Sequence, residues 1–393
     1  MPAAIYYASD GFQIQNNKIM GRQVAGNSFL RAYLRYSKYS EFWVYTKTNE
    51  EALDFTKAAR NEGRTEDIKF VDFQNTGTLN KPGLLFYPGP DICFQSKIRS
   101  LFKDNSWSIC GITHTTSSAR IMDSIQSIVS SPINPWDAII CTSNAVRSNL
   151  QKILEIEEEN LRIKLSATKF TRPKLPVIPL GINTSEFNFT TDQKDKAKQE
   201  LGIKKEEIVV LYVGRLSFHA KANPFQMYQS LEKAALRSTK KIVLIECGWF
   251  GNQAIRDSFI HASNKLCPNI RVIRVDGSNN KSKLNSFAAS DIFCTLSDNI
   301  QETFGITPIE AMAAGLPVIV SDWNGYKDTV RDKIDGFRIS TLMPDIGYGQ
   351  DIATRYALGI DSYDMYIGSI SNFISVDSNA LSNALYQLFV NDK

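Results

Sequence analysis

Histidine and paired cysteine are what this 393-residue sequence has least of. Its three histidines, His114, His219 and His261, never stand at metal-binding spacing. Its six cysteines (Cys93, Cys110, Cys141, Cys247, Cys267, Cys294) form no Cys-x-x-Cys pair, and no two aspartates occur as Asp-x-Asp. These absences argue against a zinc site and against an aspartate-anchored divalent metal, so the expected metal complement is none. Several cysteines lie inside apolar runs such as DIFCTLS, as buried free thiols of a reducing compartment do. No run approaches the roughly 18 uncharged apolar residues of a membrane span, and MPAAIYYASDGF has no basic region followed by an apolar one. The expectation is a soluble, cytoplasmic chain. No Gly-x-Gly-x-x-Gly follows a strand-like run, which disfavours a nicotinamide oxidoreductase. Neither sign of charge dominates: 45 basic side chains against 41 acidic leave +4, with 22 against 17 up to Leu180 and 23 against 24 beyond. A nucleic-acid binder would concentrate more, whereas a mild excess in the first half suits an anionic acceptor or membrane headgroups.

What is present is a regular alternation. At about 100 to 200 residues per domain, the length suggests two or three domains. Strand-like runs AAIYYAS, EFWVYTK, DIKFVDF, GLLFYPG, WSICGITH, DAIICTS and LPVIPLG alternate with amphipathic segments such as Asn27 to Tyr36, where Phe29, Leu30, Tyr33 and Leu34 share a face. The pattern restarts with EIVVLYVG, KIVLIECG, NIRVIRVDG, DIFCTLS, LPVIVSD and DGFRIS. Such alternation builds parallel sheets, so the fold class is α/β with two doubly wound units. The expected division is 1–180, a polar linker at 181–207, and 208–393, with a glycine- and tyrosine-rich insertion at about 341–376 whose role is not legible. Ligands of open α/β sheets bind beyond the carboxyl ends of the strands, so the motifs of interest follow strands.

One such motif is ETFGITPIEAMAAGLPVIVSD, after DIFCTLS. Thr307, Pro308 and Glu310 have the spacing of a capping box that opens a short helix closed by Gly315 and Pro317. Glu302 stands ahead of that helix, where backbone N–H groups near Phe304 and Gly305 favour a phosphate, and Gly305 permits close approach. A second motif, VGRLSFHAK, supplies Arg215 and Lys221, either as a solvated pair or as a fork and a point charge on one diphosphate.

Together these segments resemble the retaining family 4 glycosyltransferases of the GT-B fold, over most of the chain from Gly21 to DGFRIS. VIPLGINTSEF is similar to the family's interdomain linker, VGRL with its following lysine to the phosphate-gripping loop, and the two-glutamate segment to the signature. Two Rossmann-like domains facing across a cleft are therefore implied. The resemblance assigns Arg215 and Lys221 to the donor diphosphate, Glu302 to donor sugar hydroxyls, Glu310 to the ribose, and the amides near Phe304 and Gly305 to sugar and phosphate. Lys221 departs from the pattern: it follows Arg215 by six positions where five is commoner, and Ala222 replaces a glycine. His114, after WSICGITH, corresponds to a histidine near the reacting sugar. Gly21, Arg22 and Gly26, expected just before a helix, would let the backbone approach the leaving diphosphate, although Arg22 breaks the family's double glycine. FQSKIRSLFK, from Phe94 to Lys103, reads as a solvated helix face in preference to a surface for a lipid-linked acceptor.

The implied activity is metal-independent, retaining transfer of a sugar from a UDP- or GDP-sugar, with no other cofactor, to a glycan or lipid-linked acceptor in surface polysaccharide or glycoconjugate synthesis. Nucleic acid is not an expected partner; peripheral contact with the inner membrane face is. An epimerase or phosphorylase on the same fold and a non-catalytic sugar-nucleotide-binding module are the alternatives. The family commonly continues through a helix that crosses back to the first domain. The stop at Lys393 leaves no room for a full one, and whether the chain is a fragment of a longer protein stays open.

Overall fold

The computed structural model describes residues 2–13, 21–345 and 347–391. The chain divides into two compact units, Met1–Gly181 and Ile182–Lys393. The first is built on a parallel sheet of β1 (Ala4–Tyr6), β2 (Glu41–Thr46), β3 (Asp67–Asp72), β4 (Leu84–Phe86), β5 (Ser108–Ile112) and β6 (Ala138–Ile140), in the order β3-β2-β1-β4-β5-β6. The second holds β7 (Ile208–Val213), β8 (Ile242–Gly248), β9 (Arg271–Asp276), β10 (Ile292–Thr295), β11 (Val318–Ser321) and β12 (Gly336–Ile339), again all parallel, as β12-β11-β10-β7-β8-β9. Both are the doubly wound order in which the winding reverses beside the first strand. In the second sheet the reversal falls between β7 and β10, the strands that run into the two motifs.

Central strands read as continuous apolar runs because both faces are covered. Val209, Leu211 and Val213 of β7 face one core with Phe287, Phe293 and Ala311. Val210 and Tyr212 face another with Met227, Leu231 and Leu385. The first sheet is covered in the same way, by Leu150 and Trp107 on one side and by Leu34 and Phe55 on the other. Five cysteines are buried and Cys110 is half-buried, all free. Among the described residues no helix is long and apolar enough to cross a membrane.

Four sequence expectations change. LPVIPLG is not a strand: it and the preceding Lys174 meet the end of the first sheet only through isolated bridges, Lys174 to Ala138 and Val177 to Cys141, because Pro176, between the donors Lys174 and Ile178, lacks the N–H a ladder needs. The stretch 181–207, expected as a linker, folds onto the second sheet. It holds a helix Thr191–Glu200 with a capping box of Thr190 and Gln193, and it buries Phe187, Ala197 and Ile203 in the core beneath β7. Phe94–Lys103 is a solvated face only in part: Lys97 and Lys103 are exposed along with Phe94, Leu101 and Phe102, but Arg99, on the helix Cys93–Ser100, is wholly buried and makes a two-pronged ion pair with Asp137 at 2.6 and 2.8 Å. Finally, Gly21, Arg22 and Gly26 do not precede a helix but belong to one, Gly21–Tyr36.

Candidate functional site

The glutamate motif begins where β10 ends. Gly305, at φ 85°, caps a helix that runs from Ile306 to Ala313, so the helix starts two residues earlier than a Thr307 cap would place it. The capping box is therefore not formed: among the described residues Thr307 Oγ1 has no hydrogen-bond partner, and Pro308 occupies the first turn, where no N–H is needed. Gly305 is required on two counts. Its φ is left-handed, and a Cβ there would lie 1.9 Å from Cε1 of Tyr326. The Phe304 side chain is buried, so this residue can offer a ligand only its backbone.

Glu310, freed from capping, turns inward. It is 3% exposed, and its Oε1 accepts a 2.6 Å hydrogen bond from Lys283 Nζ, while Oε2 is buried without a partner among the described residues. Lys283, on the helix Asn280–Ala288, rests its ammonium 5.8 and 5.9 Å from the rings of Phe187 and Phe287. Sequence reasoning missed this lysine. The available signal was a cation four residues before Phe287, on the inward face of a helix.

Glu302 is the centre of a second pair. Lys221 Nζ donates a short hydrogen bond to Glu302 Oε2, and the Tyr326 hydroxyl lies 3.4 Å from the same oxygen. Burial by itself would raise the Glu302 carboxyl, but the charge and hydrogen bond of Lys221 outweigh it and hold the group below the ordinary carboxylate value. Arg215 bends back over its own loop, its Nη2 donating to Ala220 O at 3.2 Å.

That loop, Ser217 to Asn223, is tied residue by residue to the segment after β10. Ser297 Oγ donates to Lys221 O at 3.2 Å, Asn299 Nδ2 to His219 O at 2.8 Å, and the Gln301 amide to Ala220 O. The Asn223 N–H donates to Asp298 Oδ2 at 3.2 Å. Asp298 is 8% exposed, its Oδ1 has no hydrogen-bond partner among the described residues, and burial pushes its carboxyl up to about 7, against a smaller opposing effect of the Asn223 N–H. The second unit thus gathers Arg215, Lys221, Glu302, Gly305 and the inward Glu310 around the carboxyl ends of β7 and β10.

The remaining candidates lie in the first unit. His114 follows β5; burial depresses its pKa, a hydrogen bond with the Pro88 backbone opposes this, and Arg22 adds to the depression, so the ring is neutral at pH 7. Gly21 and Arg22 form the first turn of their helix, with Arg22 3.6 Å from Asp10. Gly26 is accounted for by packing: a Cβ there would stand 2.2 Å from the carbonyl oxygen of Gly11, so its smallness seats one helix on another.

The family model for glycosyl transferases group 1 matches residues 193–342, which contain every one of the second-unit candidates. An uncharacterized glycosyltransferase of Methanocaldococcus jannaschii is 27% identical over 181 residues, 45% of this chain and 44% of that protein. A D-inositol 3-phosphate glycosyltransferase of Mycolicibacterium gilvum is 27% identical over 173 residues, 44% and 37% of the two. The match therefore spans less than half the length of these curated relatives. Among solved structures, Anabaena HepE in complex with UDP superposes over 99% of this chain and 96% of its own with a TM-score of 0.57 at 16% identity, which is a likeness of fold. With two doubly wound sheets of the same strand order, the chain has the GT-B fold, and its residues 193–342, at the reversal point of the second sheet, are similar to the glycosyl transferases of group 1.

Proposed function

We propose that the protein is a retaining, metal-independent glycosyltransferase. It takes a hexosyl group from a UDP- or GDP-sugar and passes it to a glycan or lipid-linked acceptor in surface polysaccharide or glycoconjugate synthesis, in the cytoplasm at the inner membrane face. The observation that carries this reading is the Lys221–Glu302 pair ahead of the helix Ile306–Ala313, with Glu310 of that helix paired to Lys283 and Arg215 on the loop that carries Lys221. Arg215, Lys221 and the free N–H groups after Gly305 stabilise the charge that develops on the departing diphosphate, a task given to a metal ion in other transferases. An ammonium has three donors, so Lys221 can keep Glu302 anionic with one and hold a phosphate oxygen with another. Glu302 then accepts from sugar hydroxyls and Glu310, held in place by Lys283, from the ribose diol. These carboxylates bind; nothing in their placement makes them the flanking acid and base of a hydrolase. Gly21 and Arg22 keep their proposed part near the leaving group, and His114, neutral, is assigned to a sugar hydroxyl.

A thermal-shift screen with UDP, GDP, ADP and their sugars is the first test, since a ligand at 100 times its Kd adds about 2.7 kcal/mol to stability. Product analysis by proton NMR follows, with EDTA present. A first-formed product of inverted configuration refutes retention, and turnover abolished by EDTA and restored by magnesium or manganese refutes the metal-free mechanism. His114→Ala should lower turnover far more than nucleotide affinity. Sugar-nucleotide binding with no transfer to any acceptor would favour the binding-module alternative.

A further inference from the structure

The segment 341–376 begins and ends at one place. Two short strands, β13 (Thr341–Leu342) and β14 (Ser375–Val376), pair antiparallel, Thr341 opposite Val376 and Leu342 opposite Ser375. Between them lie the helices Gln350–Ala357, which buries no residue, and Tyr363–Ser371, which buries Ile367 and Ile370. The two are fastened to each other by the stacked rings of Tyr356 and Tyr366, 4.6 Å apart, and by the Arg355–Asp361 ion pair beneath them at 2.8 Å.

The second helix meets the loop between Arg215 and Lys221. A Cβ on Gly368 would lie 2.9 Å from Cβ of His219, and Asp364 Oδ2 is 3.8 Å from His219 Nε2. The same ring is 3.3 Å from Ser217 Oγ. Glycine in a helix interior costs about 1 kcal/mol relative to alanine, and here it allows a helix backbone to touch the loop. The loop is thus held on both sides. Ser297, Asp298, Asn299 and Gln301 bind its backbone, and the helix of the insertion presses on the side chain of His219, two residues from Lys221.

We propose that the 341–376 excursion is a positioning element of the diphosphate site: through Gly368 and Asp364 it fixes His219, and so sets where the loop presents Arg215 and Lys221. This rests on the donor-site reading above. The consequence is specific to the phosphate furthest from the nucleoside. A displaced loop should cost diphosphate affinity and leave a nucleoside monophosphate, held by its base and ribose, unaffected.

The test uses the full chain and three changes. Gly368→Ala improves helix propensity while forcing the helix off His219. In a second variant an Asn-Gly turn replaces residues 343–374, joining Leu342 to Ser375 as a two-residue hairpin, a closure their direct pairing permits. Lys221→Ala is the reference. Whichever of UDP, GDP and ADP binds the wild type best is titrated beside its monophosphate by calorimetry. The expected result is a fall of about tenfold in the preference for diphosphate, equivalent to about 1.4 kcal/mol, in both Gly368→Ala and the hairpin variant, with monophosphate affinity unchanged. Gly368→Ala should add nothing in the Lys221→Ala background, as two changes acting through one contact do. An unchanged preference in Gly368→Ala, when Lys221→Ala loses it, overturns the positioning role and spares the donor site. That variant decides the matter by itself if the hairpin chain does not fold. A wild type that binds none of the three diphosphates overturns both.

Discussion

Asp298 gives the most direct check on the electrostatics of the site. Its carboxyl has an ordinary value of 3.8 and is raised by burial to about 7 in the folded chain, against a weaker pull from the Asn223 N–H. Between those values the folded state holds a proton that the unfolded state has lost. The slope of stability against pH is therefore negative: the second unit loses stability as pH rises from about 4 to 7, and the penalty is complete above 7. Asp298→Asn keeps an oxygen for the Asn223 N–H but cannot ionise. From pH 5 to pH 8 the wild type should lose about 3 kcal/mol relative to this variant, about two pH units at roughly 1.4 kcal/mol each. Residues 182–393 form a unit for which 1 kcal/mol moves the melting temperature by about 2–4 °C, so the two melting curves should diverge by about 6–12 °C. Urea titrations at pH 5, 6, 7 and 8, wild type beside variant, measure this while cancelling every other titration. Parallel pH dependences would show that Asp298 is solvated as a normal carboxylate, and that the tie between residues 297–302 and the Lys221 loop is looser than drawn.

Three further outcomes follow from the geometry. Lys283→Met leaves the buried Glu310 carboxylate unpaired and should cost about 3–5 kcal/mol of stability, most of which Glu310→Gln in the same chain should recover; chemical denaturation of the single and double variants measures it. Glu310→Gln and Arg215→Ala should each weaken nucleoside-diphosphate binding by about 1.5–3 kcal/mol, the loss of a charge-assisted hydrogen bond, and equal calorimetric affinities would remove them from the donor site. Arg99→Leu strands Asp137, which also accepts from the backbone of Ile109 and Asn134, and should destabilise the first unit by about 3–5 kcal/mol while leaving nucleotide affinity at wild-type strength in the protein that remains folded.

The alternation of apolar runs and amphipathic segments was enough to give two doubly wound parallel sheets, because burial on both faces writes itself into a strand locally. The segment after β10 was equally legible. Its glutamates, glycine and proline lie within ten residues, and their spacing is a property of the chain alone. What no window of sequence contains is which charge meets which. Lys221 reaches Glu302 across 81 positions and Lys283 reaches Glu310 across 27. The sequence offered Glu310 a local partner in a capping box, and packing instead turned it inward. Arg99 shows the same limit: amphipathic spacing marked it as solvated, yet Asp137, on a distant loop, makes its burial affordable. Glycines divide in the same way. Gly305 could be read from its place at a helix start, but Gly26 and Gly368 are small because another backbone passes within contact, and only the tertiary structure, which decides what passes where, distinguishes a close approach from a flexible joint.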